Sequence, residues 1–250
     1  MRAYCKNTLH MIPKIIHYCW FGGNPLPADA RRCIESWKKY LPDYKIKEWN
    51  ENNFDINSNQ YVREAYEKRK FAFVTDYVRL YALVNEGGVY MDTDVEVIKS
   101  YDPFLHHTAF SGFENNNYVP TGMMASEKGG KWVRELLDEY LDRKFIQEDG
   151  SLDTTTNTFT ITKNMVSHGL IQNNTFQDFP GLATFYPSDY FCPKDHTDGI
   201  IKLTANTVCI HHFAGSWLPD NIKRRHKYKV LLTKILGKKI AGLISKIINR

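Results

Sequence analysis

Hydrophobic positions in this chain fall into short runs, unbroken or alternating, that are separated by longer stretches at helical spacing, the signature of an α/β domain. Lys14-Ile15-Ile16-His17-Tyr18-Cys19-Trp20 reads as a buried strand, stopped by Gly22, Gly23 and Pro25. Pro27 suits the first turn of a helix running to about Tyr40, because its fixed φ is helical and its missing N–H is unneeded there. Residues 44–49 alternate and predict a second strand. Two helices are expected next, over 59–69 and about 73–86, the latter closed by Gly87-Gly88 as a C-cap. Val89 to Val97 is a β-rich run interrupted by Asp92 and Asp94. Trp132, Val133, Leu136, Leu137, Tyr140 and Leu141 recur at helical spacing, and residues 201–210 are a strand candidate ending in His211-His212.

A length of 250 residues suits one α/β domain with a short appendage, and 42% hydrophobic with 24% charged residues suits a folded chain. The expected organisation is a leader over 1–10, a catalytic domain over 11–218 and a tail over 219–250. Five scattered cysteines without a C-x-x-C spacing point to neither a disulfide framework nor a cysteine-ligated zinc, and fit a reducing cytoplasm. The first residues lack the pattern of a secretory signal, and no apolar run approaches a membrane span.

Charge is uneven. From Lys223 onward there are ten basic residues and no acidic one, so the rest of the chain is net acidic although the whole carries +5. The tail has no aromatic beyond Tyr228 to interleave with these charges, so nucleic acid is not the expected partner. Leu232, Leu236, Ile240, Leu243, Ile244, Ile247 and Ile248 share one arc of a helical wheel and Lys234, Lys238, Lys239 and Lys246 another, while Leu231 and Ile235 intrude on the basic side. That is the pattern of a basic amphipathic helix lying on an anionic membrane surface through residues 223–250. Gly237 and Gly242 leave open the other reading, a helix packed on protein.

In a strand, residues i and i+2 face one side, so Asp92 and Asp94 present two carboxylates to one point. Hard cations such as Mg²⁺ or Mn²⁺ take one or two protein carboxylates together with substrate phosphate oxygens, and a nucleotide diphosphate completes that shell. A lone D-x-D is a weak signal, and its context lifts it. Asp76 and Arg79 lie at i and i+3 on the preceding helix, which Gly87-Gly88 turns directly into the D-x-D segment. They are read either as donor contacts or as a structural ion pair. His211-His212 offers imidazole to Mn²⁺ or forms a hydrogen-bonded loop, and Thr154-Thr155-Thr156-Asn157-Thr158 lines a sugar pocket or covers a surface.

Three ordered blocks, Ile16-His17-Tyr18-Cys19-Trp20-Phe21-Gly22-Gly23, Phe73-Val74-Thr75-Asp76-Tyr77-Val78-Arg79 and Gly87-Gly88-Val89-Tyr90-Met91-Asp92-Thr93-Asp94, resemble a known glycosyltransferase family. It is the family (glycosyltransferase family 32) of capsular polysaccharide transferases and yeast Golgi initiating α-mannosyltransferases, and its core resembles that of the large clostridial glucosylating toxins. The resemblance is close over roughly residues 12–100 and returns at His211-His212-Phe213-Ala214-Gly215-Ser216-Trp217. It implies a GT-A fold, a Rossmann-like mixed sheet flanked by helices, with Mn²⁺ or Mg²⁺, a nucleotide-sugar donor (UDP-sugar foremost) and retention of anomeric configuration. It also implies roles: Trp20 stacks on the nucleobase, Thr75, Asp76 and Arg79 sit near ribose and sugar, Tyr90 flanks the donor, and Asp92 and Asp94 hold the cation. Ser216 joins the metal shell and Trp217 reaches the leaving phosphate; of the two histidines, His212 is taken as the metal ligand. Trp20 has the alternative of an ordinary core aromatic.

The expected reaction moves a hexose or N-acetylhexosamine to a glycan acceptor, lipid-linked, in capsule or other surface-polysaccharide synthesis. The expected place is the cytoplasmic face of a bacterial membrane. Two other readings stand beside it. Tyr90-Met91-Asp92-Thr93-Asp94-Val95 also fits the D-x-D-x-[TV] nucleophile motif of haloacid-dehalogenase phosphatases, with Asp92 as nucleophile, although that motif normally ends the first strand of its domain. The third reading is a non-catalytic nucleotide-sugar-binding module at a membrane.

Overall fold

The computed structural model describes residues 12–114, 118–120 and 122–215, with Arg224, Arg225, Tyr228, Val230, Leu231 and Thr233. The expected leader and almost all of the expected basic tail lie outside the described residues.

The apolar run after Lys14 forms β1 (Ile15–Cys19), which is flanked on both sides by parallel partners, β2 (Lys45–Trp49) and β3 (Gly88–Met91). Between β1 and β2 runs α1 (Ala28–Tyr40), entered from an extended Pro27 and burying Ala30, Cys33, Ile34 and Trp37. Helices α2 (Gln60–Glu67) and α3 (Phe71–Glu86) follow close to the expected positions. Asn59 caps α2, its side chain accepting from the Val62 N–H. The later elements are β4 (Val95–Val97), β5 (Ala109–Gly112), β6 (Met123–Ser126), α4 (Lys131–Asp138), α5 (Asn157–Ser167), β7 (Gln177–Phe179), β8 (Ala183–Tyr186), α6 (Ser188–Phe191) and β9 (Cys209–His211).

Seven strands form one mixed sheet in the order β2-β1-β3-β6-β5-β8-β7, and β4 pairs with β9 in a separate antiparallel ribbon. Side chains alternate across the large sheet. Cys19, Tyr90 and Met124 join Val78, Leu83, Trp132 and Ile161 in one core, while Tyr18, Val89, Met91 and Ala125 join Trp37 and Phe191 in the other. The α/β class expected from the sequence, a mixed sheet flanked by helices, is the class found. No helix among the described residues is long and apolar enough to cross a membrane.

Two expectations are corrected. The run 89–97 is not one strand: β3 stops at Met91, and the Val95 N–H bonds back to the Asp92 carbonyl at 3.0 Å, making Asp92-Thr93-Asp94 a turn. The β3–β6 register ends at Met91 opposite Met123, so the chain is released to start β4. Likewise, only the end of the 201–210 candidate pairs as a strand. Thr204 and Asn206 side chains bond instead to Asp189, at 2.8 and 3.1 Å, and keep that stretch a loop.

The crossing from α3 into β3 is tight. Gly87 and Gly88 both have positive φ, +68° and +113°, and a Cβ on Gly88 would stand 2.5 Å from the Ile15 carbonyl oxygen and 3.2 Å from His17 Nε2. His17 is fully buried, and the Trp49 indole, which can only donate, bonds to its Nδ1 at 3.1 Å. The proton therefore resides on Nε2, which donates to the Gly87 carbonyl at 2.8 Å. Gly88→Ala is expected to lower the unfolding free energy by roughly 2 kcal/mol or more, read as a lower urea midpoint at unchanged slope. A wild-type midpoint would show that the strand crossing has slack.

Candidate active site

Helix α3 carries Asp76 and Arg79 on its buried face, 9% and 4% exposed, and the Gly87-Gly88 turn brings the end of β3 back over them. Arg79 Nη2 lies 3.1 Å from Asp76 Oδ1 and 3.5 Å from Asp92 Oδ1. Its guanidinium stands 4.6 Å from the centroid of the Tyr90 ring, and the Tyr90 hydroxyl donates to Asp92 Oδ1 at 2.9 Å. Asp92 is thus gripped by a cation and a phenol on one side of its carboxylate. Burial raises the Asp76 carboxyl, against the pull of Arg79, to about 6, and pushes the Tyr90 phenol well above its ordinary value.

The turn at residues 92–94 leads into β4, whose Val95 faces His211 across the ribbon. His211 Nε2 lies 3.3 Å from Asp94 Oδ1 and 4.0 Å from Asp92 Oδ2. One oxygen of each aspartate and one nitrogen of His211 fall within 4.8 Å of one another. Two carboxylates and an imidazole, converging and only partly exposed, suit Mn²⁺ or a similar divalent cation. Burial alone would raise Asp94, yet His211 and the Ala214 N–H, which donates to Oδ2 at 2.7 Å, draw it down to about 2. Burial alone would lower His211, yet the Asp94 carboxylate lifts it well above the usual imidazole range.

The histidine expected to ligate metal, His212, stands apart from the two aspartates. Alternation along β9 turns it to the other side, where its Nε2 lies 2.8 Å from Glu96 Oε2. Its neighbour His211 is the one beside Asp92 and Asp94, in a space that only a glycine at 122 provides: a Cβ there would meet the His211 ring at 2.8 Å. Gly122 also accepts at its carbonyl from the Asp92 N–H, at 2.9 Å.

The remaining expected residues divide. Thr75 contributes its carbonyl to Arg79 Nε at 3.4 Å. Trp20 is half-buried just beyond β1, against the apolar core containing Met91 and Val95, with its indole donating to the Asn24 carbonyl at 2.5 Å. Ser216 and Trp217 lie outside the described residues. Within the polar threonine run, Thr156 caps α5 by accepting from the Phe159 N–H, and Asn157, 2% exposed, donates to the Asp76 carbonyl at 3.3 Å. Asn157 Oδ1 has no partner, a buried acceptor placed beside the site. Glu114, just past β5, also faces the cluster: burial raises its carboxyl while His211 and His196 pull it down and Asp92 pushes it up. Nothing in the spacing of the sequence pointed to Glu114, because it is linked to the D-x-D turn only through the sheet.

The sequence model of the glycosyltransferase sugar-binding region containing a DXD motif matches residues 27–111, and over these residues the chain is similar to that family. A similar protein is inositol phosphoceramide mannosyltransferase 3 of Schizosaccharomyces pombe, 26% identical over 136 residues. Those cover 53% of this chain but only 38% of the relative. An uncharacterized glycosyltransferase of Acanthamoeba polyphaga mimivirus is 25% identical over 226 residues, 84% of this chain and 85% of that one. Among solved structures, a glycosyltransferase involved in glycosylation of the major capsid of PBCV-1 aligns over 86% of this chain and 100% of its own, at 11% identity and a TM-score of 0.45.

The ligand set predicts a clear split in titration calorimetry. Mn²⁺ affinity is expected to fall about 100-fold or more in His211→Ala and less than about tenfold in His212→Ala. Because binding must displace the His211 proton, Mn²⁺ uptake near neutral pH should release roughly one proton and tighten as pH rises. Equal losses in the two variants would overturn the assignment.

Proposed function

We propose that this protein is a metal-dependent, retaining glycosyltransferase that moves a hexose or N-acetylhexosamine from a nucleotide-sugar, a UDP-sugar foremost, to a glycan acceptor. The observation that carries the reading is the convergence of Asp92, Asp94 and His211 beside the buried Asp76–Arg79 pair at the end of β3, with all but His211 inside the residues that the family model matches. Asp92, Asp94 and His211 would hold Mn²⁺ or Mg²⁺, and the bound ion supplies Lewis-acid charge for a leaving diphosphate.

What the chain's own residues do follows from their contacts. Arg79 and Tyr90 fix the orientation of Asp92, so that its outer oxygen faces the cation position without a reorganisation step. Asp76, close to half-ionised near pH 6, accepts hydroxyl hydrogen bonds from ribose or sugar, and the unpartnered Asn157 Oδ1 is a second acceptor for such a hydroxyl. A retaining transfer has no need of a strong isolated base. The phosphatase alternative loses ground here, since the D-x-D ends the third strand in chain order and Asp92 is already held by Tyr90 and Arg79.

The acceptor reading is a lipid-linked glycan at the cytoplasmic face of an anionic bacterial membrane, in surface-polysaccharide assembly. Its supports are the basic tail sequence and the exposed Ile200, Ile201 and Leu203 beside Lys202. The yeast relative's name, which joins mannose transfer to inositol phosphoceramide, is a further support for a lipid-anchored acceptor.

The test is a screen of nucleotide sugars for Mn²⁺-stimulated release of nucleoside diphosphate. At least one donor should be hydrolysed, and Asp92→Asn or Asp94→Asn should lower turnover about 100-fold or more with an unchanged circular dichroism spectrum. Hydrolysis of an aryl phosphate and of no nucleotide sugar would reverse the assignment.

A further inference from the structure

Beside the metal ligands lies a cleft of about 690 Å³, a volume in the range of ordinary small-ligand sites. One wall is the first turn of α5 with the threonines that precede it; the others carry Glu114, Tyr118 and His196. The wall is stiff. Thr156 caps α5, the Val119 N–H donates to Thr162 Oγ1 at 2.9 Å, and the Glu114 N–H donates to the Tyr118 carbonyl at 3.0 Å. It also communicates with the reaction centre. The His196 ring stands 5.9 Å from Phe213, whose ring lies 4.2 Å from His211, and the Glu114 carboxyl feels both His211 and Asp92.

The lining has a particular chemistry. Tyr118 and Phe159 leave 40% and 51% of their surface open, and Phe159 sits in the first turn of α5. Flat aromatic faces of this kind accommodate the C–H face of a sugar ring, while Thr154 and Thr155 hydroxyls and the Glu114 carboxylate exchange hydrogen bonds with its hydroxyls. Among the described residues that line the cleft there is no lysine or arginine, and Glu114 is its one acid. A phosphate or a uronic acid would meet no lysine or arginine there, and would face the Glu114 carboxyl.

We propose that this cleft is the acceptor subsite and that it takes an uncharged glycan terminus, stacked on Phe159 and Tyr118, with hydroxyls bonded to the Thr154–Thr155 segment and to Glu114. The inference deepens the transferase reading and rests on it, and its test has an arm that needs no turnover. Binding of methyl lactoside and of methyl glucuronide to the full chain with Mn²⁺ would be followed by saturation-transfer difference NMR. The lactoside is expected to bind at millimolar concentration and the glucuronide at least about tenfold more weakly. Phe159→Ala and Tyr118→Ala are each expected to weaken lactoside binding about tenfold, equivalent to roughly 1.4 kcal/mol, with Mn²⁺ affinity unchanged. In a donor-loaded assay the same variants should raise the half-saturating glycoside concentration while leaving acceptor-free donor hydrolysis within about twofold. Equal binding of the two glycosides, or wild-type lactoside affinity in both variants, would overturn the proposal. Lactoside binding with no hydrolysis of any nucleotide sugar would instead overturn the transferase reading and leave a neutral-glycan site in place.

Discussion

The hydrogen bond from His17 Nε2 to the Gly87 carbonyl, secured from behind by the Trp49 indole, sets the geometry on which the site depends. A helix that runs into a strand through two glycines has ample conformational freedom, and that freedom must be removed for the turn to be unique. Here the removal comes from two sides: the imidazole takes up the last helical region's free carbonyl, and the Ile15 backbone leaves no room for a side chain at Gly88. With the turn fixed, the spacing from Arg79 to Asp92 is fixed as well, and a guanidinium on α3 reaches a carboxylate at the end of β3. Burial depresses the affinity of His17 for a second proton, so the single tautomer this bond needs is the one retained.

Electrostatics then explains why so many charges coexist in a nearly closed space. Asp76, Asp92 and Asp94 face Arg79 and the His211 imidazole, so acids outnumber obligate cations. Burying such an excess is costly unless something positive completes it. The mutual shifts, His211 lifted by the Asp94 carboxylate and Asp94 drawn down by His211, mark a site that favours positive charge. A divalent ion would supply the same charge and more, releasing His211 to act as a neutral ligand. The pair is better described as one cation-seeking unit than as two residues with separate titrations.

Much of this was legible in the sequence, and the parts that were not share a cause. The strands at Ile15–Cys19 and Lys45–Trp49, the helix ending at Gly87 and the D-x-D at the end of β3 all announce themselves through local pattern: apolar runs, glycine stops, helical periodicity. The pairing of Asp76 with Arg79 followed from i,i+3 spacing and needed no tertiary information. The choice between His211 and His212 was different in kind. It turns on which face of β9 meets β4, a register set by a partner more than a hundred residues away, and local alternation gives two equally regular answers. The D-x-D itself converges for a reason other than strand periodicity: it occupies a turn, and the Asp92 carbonyl, the Gly122 carbonyl and the Ala214 N–H aim its two carboxylates. Glu114 and Gly122 carry no motif at all, since each matters only through the segment the sheet lays beside it.

Asp92 and Asp94 are consequently unequal members of one motif. Asp92 belongs to the large sheet, its N–H bonded to Gly122 and its carboxylate held by Arg79 and Tyr90. Asp94 belongs to the ribbon: its carbonyl accepts from the His212 N–H at 3.0 Å, its carboxylate from the Ala214 N–H, and β4 behind it is gripped by α1 through Trp37 Nε1 to the Val95 carbonyl at 2.7 Å. The segment just after β9, with Phe213 at a positive φ of 53°, is therefore tied to Asp94, while α3 is tied to Asp92. A cation bound between the two carboxylates would bridge sheet and ribbon as well as bind a substrate. Its arrival would couple the placement of residues 212–215, including Phe213 beside the cleft residue His196, to the occupancy of the site.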